Sequence, residues 1–510
     1  MKDENSLLTS KNSAIIYFTV LLLAAVFYVA SCAPGVLWQD SGMYQYRIWH
    51  NDIEGRLGLA LAHPLYHLVG IAVKQIPFGD FAYRINLISA VSAAIAVANL
   101  FLLIRLWLGT NWPAIIGAVI LAVSHTFWQH AAIAEVYTLG GMFLITELLL
   151  LLQYVRTEQK KYLYFLALTN GLAMANHVWA SIAMACYVVF IFWLLFKKRI
   201  RWSDVAATAG LWLLGALPYE YLIIKAIIQT GDITETFASA FFGQGWNSAV
   251  LNTHITGRML KENLMFFGLN YPTPNILFFF IGLYYACRVA TARAFTHVLL
   301  AVLFLYFVFA ARYTVPDRYA FFIPFYCLVP IFSAAGFEYL NKKYNRMYLG
   351  YAALIFALIP VCFYAVAPAL AKKAHFNLGI KRTIPYRDDY AYFLMPWQNG
   401  NNGPERFAVE ALRTAGDNAI IYADGTTVYP LLYEQQVKSR YAGVTVITGH
   451  ASANNMDKYR DTDKLVGERP FYVVSPVAGY IPSDWLKKYS FKQQGVIWRM
   501  SQGAGIKNEQ

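Results

Sequence analysis

An acidic residue lies in the first polar stretch of the chain, just after the first long apolar run. The stretch reads Trp38-Gln39-Asp40-Ser41-Gly42. A carboxylate at a membrane edge can take the proton of an acceptor hydroxyl, and partial desolvation makes it a stronger base. The structural alternative is that Asp40 or Ser41 caps a helix over residues 43–50. The spacing by itself leaves both interpretations open.

A second acid, Glu135, stands at the boundary of a later apolar run, between Trp128-Gln129-His130 and Tyr137. An ionisable side chain this close to hydrocarbon is costly, and it is therefore more often functional than structural. The alternative is a solvated helix end, where the carboxylate stays in water. We interpret Glu135 as a functional acid.

Imidazoles occur at similar boundaries. His63 precedes Pro64, His67 follows one helical turn later, and His177 comes directly after Asn176. A lone His in a membrane bundle is usually a hydrogen-bonding partner between helices. Several His side chains on one side of a membrane indicate a site more strongly than any one of them does.

The third cluster lies in the stretch 313–319, which contains Asp317-Arg318. A guanidinium keeps its charge and presents a fork of donors that matches phosphate oxygens. Arg318 is therefore a candidate for binding a phosphate, and so is Arg84 at the start of another apolar run. The alternative is that Asp317 and Arg318 anchor the chain at the membrane interface.

The composition indicates which solvent surrounds these residues. Of the 510 residues, 58% are hydrophobic and only 14% are charged, whereas soluble domains are about a quarter charged. The net charge of +13 does not indicate nucleic-acid binding, because Lys and Arg lie in short clusters between apolar runs rather than along one face. The chain is predicted to be an α-helical polytopic membrane protein with the lipid bilayer as its main partner.

The apolar runs are about 17–25 residues long, which is the length that crosses a hydrocarbon core. They predict about eleven spans, with a range of 10–13. The shorter segment 57–76, which His63-Pro64 interrupts, is re-entrant or interfacial in this interpretation. The predicted spans are 14–31, 83–107, 113–127, 136–155, 161–175, 178–196, 204–228, 273–289, 295–311, 319–340 and 347–370.

The basic clusters fall at every second loop, so all of them can be cytoplasmic at once. The N-terminus is then also cytoplasmic. The loops that hold Asp40, Glu135, His177 and Asp317 open on the opposite side, together with the tail. The clusters are Arg156 with Lys160 and Lys161, Lys197 to Arg201, Arg288 with Arg293, and Lys342 with Lys343 and Arg346.

The composition changes near residue 372, where polar residues become common. We predict a membrane domain over 1–371, with a first outer loop at 32–82, and a soluble α/β domain over 372–510 on the non-cytoplasmic side. A helix is expected over 427–438. The predicted strands are 419–423, 444–448, 471–475 and 496–500.

With these residues and motifs, the chain resembles a family of membrane proteins classed with the GT-C glycosyltransferases. That family was long known only as a domain of unknown function, and it includes an animal secretory-pathway protein O-mannosyltransferase. The resemblance runs along nearly the whole chain and depends on the order of short motifs that are weak individually. The motifs are Trp38–Gly42, His63–Tyr66, Arg84–Ser89, Trp128 with Ala134–Tyr137, Asn176-His177, Val315–Phe321 with Pro324, Ala423–Gly425, Tyr429–Leu431 and Arg469-Pro470.

Two features depart from the family pattern. Family members often carry Glu where this chain has Met43, so no role of that Glu transfers to this chain. They also have a longer, Pro- and Gly-rich version of the His63-Pro64 element.

The resemblance implies a GT-C fold and a sugar donor linked to polyprenyl phosphate, which meets a protein, glycan or lipid acceptor on the outer face. It implies Asp40 as the general base of an inverting transfer. Glu135 is then a second acid that positions acceptor or sugar, or holds a metal, and a divalent cation is left open. The candidates for binding substrate or its phosphate are Arg318, Asp317, His63, His177, Arg84 and Tyr137.

Two other functions remain as alternatives. A transporter or flippase of a lipid-linked sugar also uses intramembrane acids, but such proteins tend to have repeated halves and polar groups at the midplane. A non-catalytic scaffold would use the tail to bind partners. The chain has no Asn-x-Ser/Thr acceptor sequence, and we expect a bacterial inner membrane with the tail in the periplasm.

Overall fold

Long helices form the chain as far as Lys373, and a small sheet domain follows. The computed structural model describes residues 11–243, 245–288, 292–344, 346–378, 383–456 and 461–503. The α-helices in the described part of the chain as far as Lys373 are α1 Lys11–Ser31, α2 Gln39–Trp49, α3 Pro64–Lys74, α4 Phe81–Leu108, α5 Asn111–Ala122, α6 His125–Ala131, α7 Tyr137–Thr157, α8 Lys161–Asn176, α9 Ala180–Phe196, α10 Trp202–Thr230, α11 Ile233–Phe242, α12 Asn247–Val250, α13 Gly257–Asn270, α14 Ile276–Ala286, α15 Arg293–Arg312, α16 Ile323–Tyr344 and α17 Met347–Lys373.

Each of the eleven predicted spans coincides with a helix or helix pair of the bundle. Within the described residues, seven helices are long and apolar enough to cross a membrane, or eight if the pair α5 and α6, bent by 66°, counts as one span. The predicted spans 161–175, 178–196 and 273–289 correspond to α8, α9 and α14, which have 16, 17 and 11 residues. The segment 57–76 contains the short helix α3. The chain is an integral membrane protein.

Helix α4 shows how the sequence sets the ends of a span. The Asp80 side chain accepts hydrogen bonds from the backbone N–H groups of Ala82 (2.8 Å) and Tyr83 (3.3 Å) and so caps the start of the helix. Gly109 ends the helix with a φ of 84°, a left-handed conformation that favours glycine. At 28 residues the helix is about 42 Å long, which is more than the hydrocarbon core requires.

Glycines allow two pairs of helices to cross closely. A Cβ atom on Gly171 of α8 would lie 2.2 Å from the carbonyl oxygen of Trp212 in α10, and one on Gly215 would lie 2.4 Å from that of Leu168. Helices α14 and α16 approach each other in the same way, because a Cβ on Gly282 would lie 1.7 Å from the Phe332 carbonyl oxygen. Without a hydrophobic driving force in lipid, this close packing holds the helices together.

The C-terminal domain contains one five-stranded sheet in the order β2-β1-β3-β5-β4. Strands β2, β1 and β3 run parallel to one another, and β5 is antiparallel to both of its neighbours, β3 and β4. Four strands coincide with predicted ones. The sequence did not predict β4, because it is an edge strand in which only Tyr489 is buried, so it forms no apolar run. The predicted helix over 427–438 begins as α20 and continues as a wider helical turn to Val437. The elements are α18 Asp389–Leu394, α19 Gly403–Ala415, β1 Ile420–Tyr422, α20 Val428–Leu432, β2 Thr445–Ile447, α21 Thr462–Glu468, β3 Phe471–Val473, α22 Trp485–Lys488, β4 Tyr489–Gln494 and β5 Ile497–Gln502.

The sheet domain packs on the first outer loop. Trp38 is buried against Phe407 of α19, with ring centroids 5.6 Å apart. Tyr433 donates a hydrogen bond to Asp80 (3.0 Å), and Lys438 forms an ion pair with the same carboxylate. The domain therefore contacts the start of α2, which lies within the loop 32–82, and the start of α4, which ends that loop.

We expect Gly171→Ala to destabilise the bundle, because the new Cβ would collide with the backbone of α10. Overpacking of this kind costs about 1–3 kcal/mol, and the midpoint of thermal unfolding in detergent, followed by tryptophan fluorescence, should fall. Gly210→Ala on α10 is the matched control, since no atom lies within 4 Å of its added Cβ. Equal midpoints for the two variants would show that the close crossing does not stabilise the protein.

Candidate active site

Asp40 lies in the first turn of α2. The helix begins at Gln39 rather than at residue 43, and no side chain caps its first turn. The capping role considered for Asp40 and Ser41 is therefore wrong. Asp40 is solvent-exposed, yet the protein that surrounds it removes part of its hydration and raises the pKa of its carboxyl.

Glu135 is buried beside this turn, with 7% of its surface exposed. The Ser41 hydroxyl donates a hydrogen bond to Glu135 Oε1 at 3.0 Å, so the Asp-Ser-Gly stretch contacts the second acid directly. Burial, and next the charge of Asp40, raise the pKa of Glu135 well above its usual range. Glu135 is not a solvated helix end.

Asp317 is the third acid at this place. Tyr137 donates a hydrogen bond of 3.5 Å to its Oδ2. Burial, and next the charge of Asp40, raise the pKa of Asp317 to about 6. Asp40, Glu135 and Asp317, called the acid cluster below, thus lie close enough to affect each other's ionisation, although they come from three separate loops.

Aromatic and imidazole rings line the site next to the acid cluster. The ring of His177 lies 4.9 Å from that of His63 and 5.9 Å from that of Tyr137. His130 contacts Tyr137 at 5.0 Å between ring centroids, and Tyr44 contacts His63 at 5.9 Å. Burial lowers the pKa of His177 well below its ordinary value, so this wall is uncharged near neutral pH.

The Asn176-His177 pair connects this wall to the acid cluster. His63 Nδ1 hydrogen-bonds the backbone carbonyl of Asn176 at 2.9 Å, and Asn176 Nδ2 donates to the backbone carbonyl of Val136 at 3.0 Å. His63 has a φ of 50°, a left-handed conformation that is costly for a residue with a Cβ. Such strain persists only where the surroundings enforce it, and it is common at functional sites.

The Arg-x-Asn-x-x-Ser motif of α4 is a scaffold for the acids. Ser89 Oγ donates to the backbone carbonyl of Glu135 (3.0 Å) and accepts from its backbone N–H (3.1 Å). Asn86 Nδ2 donates to the carbonyls of Ala33 and Gly35 in the first outer loop, at 2.9 and 3.1 Å. The motif therefore fixes Glu135 and the loop that leads to Asp40, rather than contacting a ligand.

The guanidinium groups of the two predicted phosphate-binding arginines are bound by other parts of the protein. Arg84 Nη1 donates to the backbone carbonyls of Lys74 (3.0 Å) and Ile76 and so satisfies the end of α3. Arg318 is buried and forms an ion pair with Glu262 of α13 at 2.6 Å. Both guanidinium groups are thus paired with groups outside the acid cluster, and Arg318 is not an interfacial anchor exposed to solvent.

The sequence did not identify a cationic residue that the tail brings to this place. Arg387 has a side chain only 1% exposed, and its two terminal nitrogens donate to Gln39 Oε1 at 3.4 and 3.3 Å. It follows the last span by little more than a dozen residues, in the charged and aromatic stretch Tyr386–Tyr390. That composition was a signal, but the separation of 348 residues between Arg387 and Gln39 hides the contact.

The sequence neither predicts nor excludes a bound metal ion. In the part of the chain that the structure describes, no three His, Cys, Asp or Glu side chains come together at metal-binding distances. The three carboxyl groups therefore do not form a ready cation site in this arrangement, and a divalent cation stays a prediction.

Comparison with known proteins supports the resemblance found in the sequence. Residues 59–203 match the family model described as the N-terminal domain of the protein O-mannosyl-transferase TMEM260. The mouse protein of that name is 25% identical over an alignment of 224 positions, which covers 41% of this chain and 32% of the mouse protein. Its Dictyostelium discoideum counterpart is 22% identical over an alignment of 240 positions, which covers 42% of this chain and 28% of that protein. The predicted resemblance is confirmed over this region, and the chain spans about a third of the length of these relatives.

The whole fold is similar to that of a solved membrane protein. ArnT from Cupriavidus metallidurans, whose crystal structure contains undecaprenyl phosphate, matches 98% of this chain and 100% of its own, with a TM-score of 0.58 and 11% identity. At this identity the likeness concerns the fold. The predicted GT-C-like membrane architecture with a C-terminal α/β domain is confirmed.

Because the pKa of Asp317 is about 6, while an ordinary Asp has a pKa of about 3.9, the folded protein binds this proton more tightly than the unfolded chain. The ionised carboxylate therefore weakens folding increasingly as the pH rises from about 4 to beyond 6. Asp317→Asn should raise the unfolding midpoint by a few degrees at about pH 7.5 and have little effect at about pH 4. Thermal unfolding in detergent at the two pH values measures this difference.

Glu235→Gln in α11 is the control, since it removes a carboxylate that is exposed and remote from the acid cluster. It should leave the midpoint unchanged at both pH values. If Asp317→Asn lowered the midpoint at the higher pH, the charge repulsion inferred for the acid cluster would be wrong.

Proposed function

We propose that this protein is a glycosyltransferase that moves a sugar from a polyprenyl-phosphate-linked donor to an acceptor on the non-cytoplasmic face of its membrane. One observation carries the proposal. The fold gathers three acids from three loops, leaves one of them, Asp40, open to solvent, and lines the space beside them with aromatic and imidazole rings. The GT-C-like fold and the O-mannosyl-transferase relatives support the same activity.

In the proposed reaction, Asp40 is the general base. Its carboxylate accepts the proton of an acceptor hydroxyl while that oxygen forms a bond to the anomeric carbon of the sugar. The bond from this carbon to the phosphate oxygen breaks, and the electron pair leaves with the polyprenyl phosphate. Attack from the side opposite the phosphate inverts the anomeric configuration. The raised pKa of Asp40 makes it a stronger base than an ordinary aspartate.

Glu135 has a different task because its pKa is raised further. A carboxyl that stays protonated can donate one hydrogen bond while it accepts another from Ser41. It can thus hold a hydroxyl of sugar or acceptor without adding a second negative charge next to Asp40. The neutral His177 and the ring of Tyr137 also add no charge beside Asp40, which suits an uncharged sugar.

The donor phosphate needs a cation as negative charge develops on it. Arg318 remains our candidate, and its ion pair with Glu262 must open for the phosphate to bind there. Arg84 is committed to the end of α3 and is a weaker candidate. The outer orientation of the site and a bacterial inner membrane stay predictions, and the relatives that match come from a mouse and a slime mould.

We expect Asp40→Asn to abolish transfer while leaving folding intact. Loss of a general base reduces rate on the order of 10²–10⁴-fold. The assay uses purified protein in detergent, labelled undecaprenyl-phosphomannose and a pool of Ser- and Thr-rich peptides, and it follows label in the peptides. Glu235→Gln should transfer as the wild type does. Wild-type turnover by Asp40→Asn would remove Asp40 from the proposed role. Exchange of the donor between the leaflets of vesicles that contain the protein, without any product, would favour a flippase.

The rate should also depend on pH in a defined direction. The base works only when deprotonated, so kcat/KM should fall as the pH drops through the pKa of Asp40. Since loss of hydration raises that pKa, the midpoint of the decline should lie above about 3.9, the ordinary Asp value. A kcat/KM that stayed constant down to about pH 4 would contradict a desolvated carboxylate base.

A further inference from the structure

A short segment between the last span and the sheet domain contacts all three acid-bearing regions. We call residues 383–394 the strap. Arg387 donates to Gln39, the neighbour of Asp40. The Tyr392 carbonyl accepts a 2.7 Å hydrogen bond from Gln129, which lies in α6 before Glu135. The Phe393 ring contacts that of Tyr319, two residues after Asp317, at 6.5 Å.

The contact to Gln39 is made where the backbone is strained. Gln39 has a φ of 56°, a left-handed conformation that costs a residue with a Cβ roughly 1 kcal/mol or more. It lies between Trp38 and Asp40, so its conformation sets the direction in which α2 starts and the position of the Asp40 carboxyl. The surroundings must hold this conformation for it to persist.

Both groups that hold Gln39 come from the C-terminal part of the chain. Its backbone N–H donates to the carbonyl oxygen of Thr426 at 3.3 Å. Its side-chain oxygen accepts from both terminal nitrogens of Arg387 at 3.4 and 3.3 Å. The C-terminal part of the chain thus holds the start of α2 in addition to the Ser41–Glu135 bond from the bundle.

Arg387 is itself held rigidly. Its Nε donates to Asp389 Oδ1 at 2.7 Å, and its guanidinium lies 4.1 Å from the centre of the Tyr392 ring. A planar guanidinium that is buried, paired and stacked loses little further freedom when it holds another group. It is suited to fixing the geometry of Gln39.

We infer that Arg387 is a positioning residue that holds Gln39 in its strained conformation and thereby places the Asp40 carboxyl for proton abstraction. This inference rests on the proposed glycosyl transfer. It assigns the tail a task in the reaction: the membrane domain carries the acids, and the strap sets the geometry of the one that acts as base.

A double-mutant cycle tests this role. Arg387→Ala should reduce kcat on the order of 10²-fold, the usual effect of misplacing a reacting group, while the KM for undecaprenyl-phosphomannose stays within about threefold. Gln39→Gly removes both the strain and the amide that Arg387 holds. In that background Arg387→Ala should change kcat by less than about threefold. Equal losses in both backgrounds would overturn the inference, because Arg387 would then act without Gln39.

A matched control excludes a general effect on the sheet domain. Arg406 stacks on Tyr386 at 4.2 Å, much as Arg387 stacks on Tyr392, but lies on α19. Arg406→Ala should keep wild-type kcat. If Arg387→Ala does not fold, Arg387→Lys replaces it, since Lys keeps the charge but lacks the fork of donors; it should lose kcat in the wild-type background and not in Gln39→Gly.

Hydrogen exchange gives a readout that does not depend on activity. The amides of residues 38–43 should exchange faster in Arg387→Ala than in the wild type, and Arg406→Ala should leave them unchanged. Unchanged exchange in Arg387→Ala would overturn the inference even if transfer is observed. If the wild type transfers no sugar but the exchange result holds, the proposed function fails while the hold of Arg387 on Gln39 stands.

Discussion

Three carboxyl groups placed together at the edge of a membrane bundle repel each other and lose hydration, and the polar scaffold around them offsets this cost. Burial and the Asp40 charge raise the pKa values of Glu135 and Asp317, because both disfavour the ionised carboxylate. Ser89 fixes the backbone of Glu135 with two hydrogen bonds. Ser41 then joins the turn of Asp40 to the Glu135 side chain. Without these contacts the loops would separate and the acids would return to water.

The same need to hold the acids in place explains what the short motifs of the chain contact. Asn86 and Ser89 lie on one face of α4 and hold the first outer loop and the Glu135 loop, respectively. Gly42 is tightly enclosed, since a Cβ there would lie 2.3 Å from the Leu37 carbonyl oxygen and 3.0 Å from Tyr429 of the sheet domain. The Asp-Ser-Gly stretch therefore combines the proposed base, a link to the second acid and a residue small enough for the tail to pack against.

The sheet domain is part of this arrangement and not an appendage. Its helix α19 covers Trp38, and its Tyr433 and Lys438 bind Asp80 at the start of α4. These contacts lie near the two ends of the loop 32–82, so the loop is held between the bundle and the domain. In the proposed reaction such a cover would limit access of water to the reacting groups.

Much of the architecture follows from the sequence by itself. Apolar run length and the placement of basic clusters gave eleven helical segments and placed Asp40, Glu135, His177 and Asp317 in loops of one side, because the cost of leaving backbone groups unpaired in lipid allows few other solutions. Four of the five strands were predicted for a similar reason, since buried strands read as apolar runs. Glu135 was identified because a charge near hydrocarbon is expensive, and Asp40 because a carboxylate at a membrane edge can act as a base.

Only the tertiary structure decided what the other polar residues do. Arg84 and Arg318 have the chemistry of phosphate ligands, yet one completes the end of α3 and the other pairs with Glu262. Arg387 reaches Gln39 from 348 positions away. Local sequence gives a guanidinium its chemistry, but its partner depends on which distant backbone carbonyls and carboxylates the folded chain leaves unsatisfied nearby, and the packing of bundle and sheet domain alone determines that.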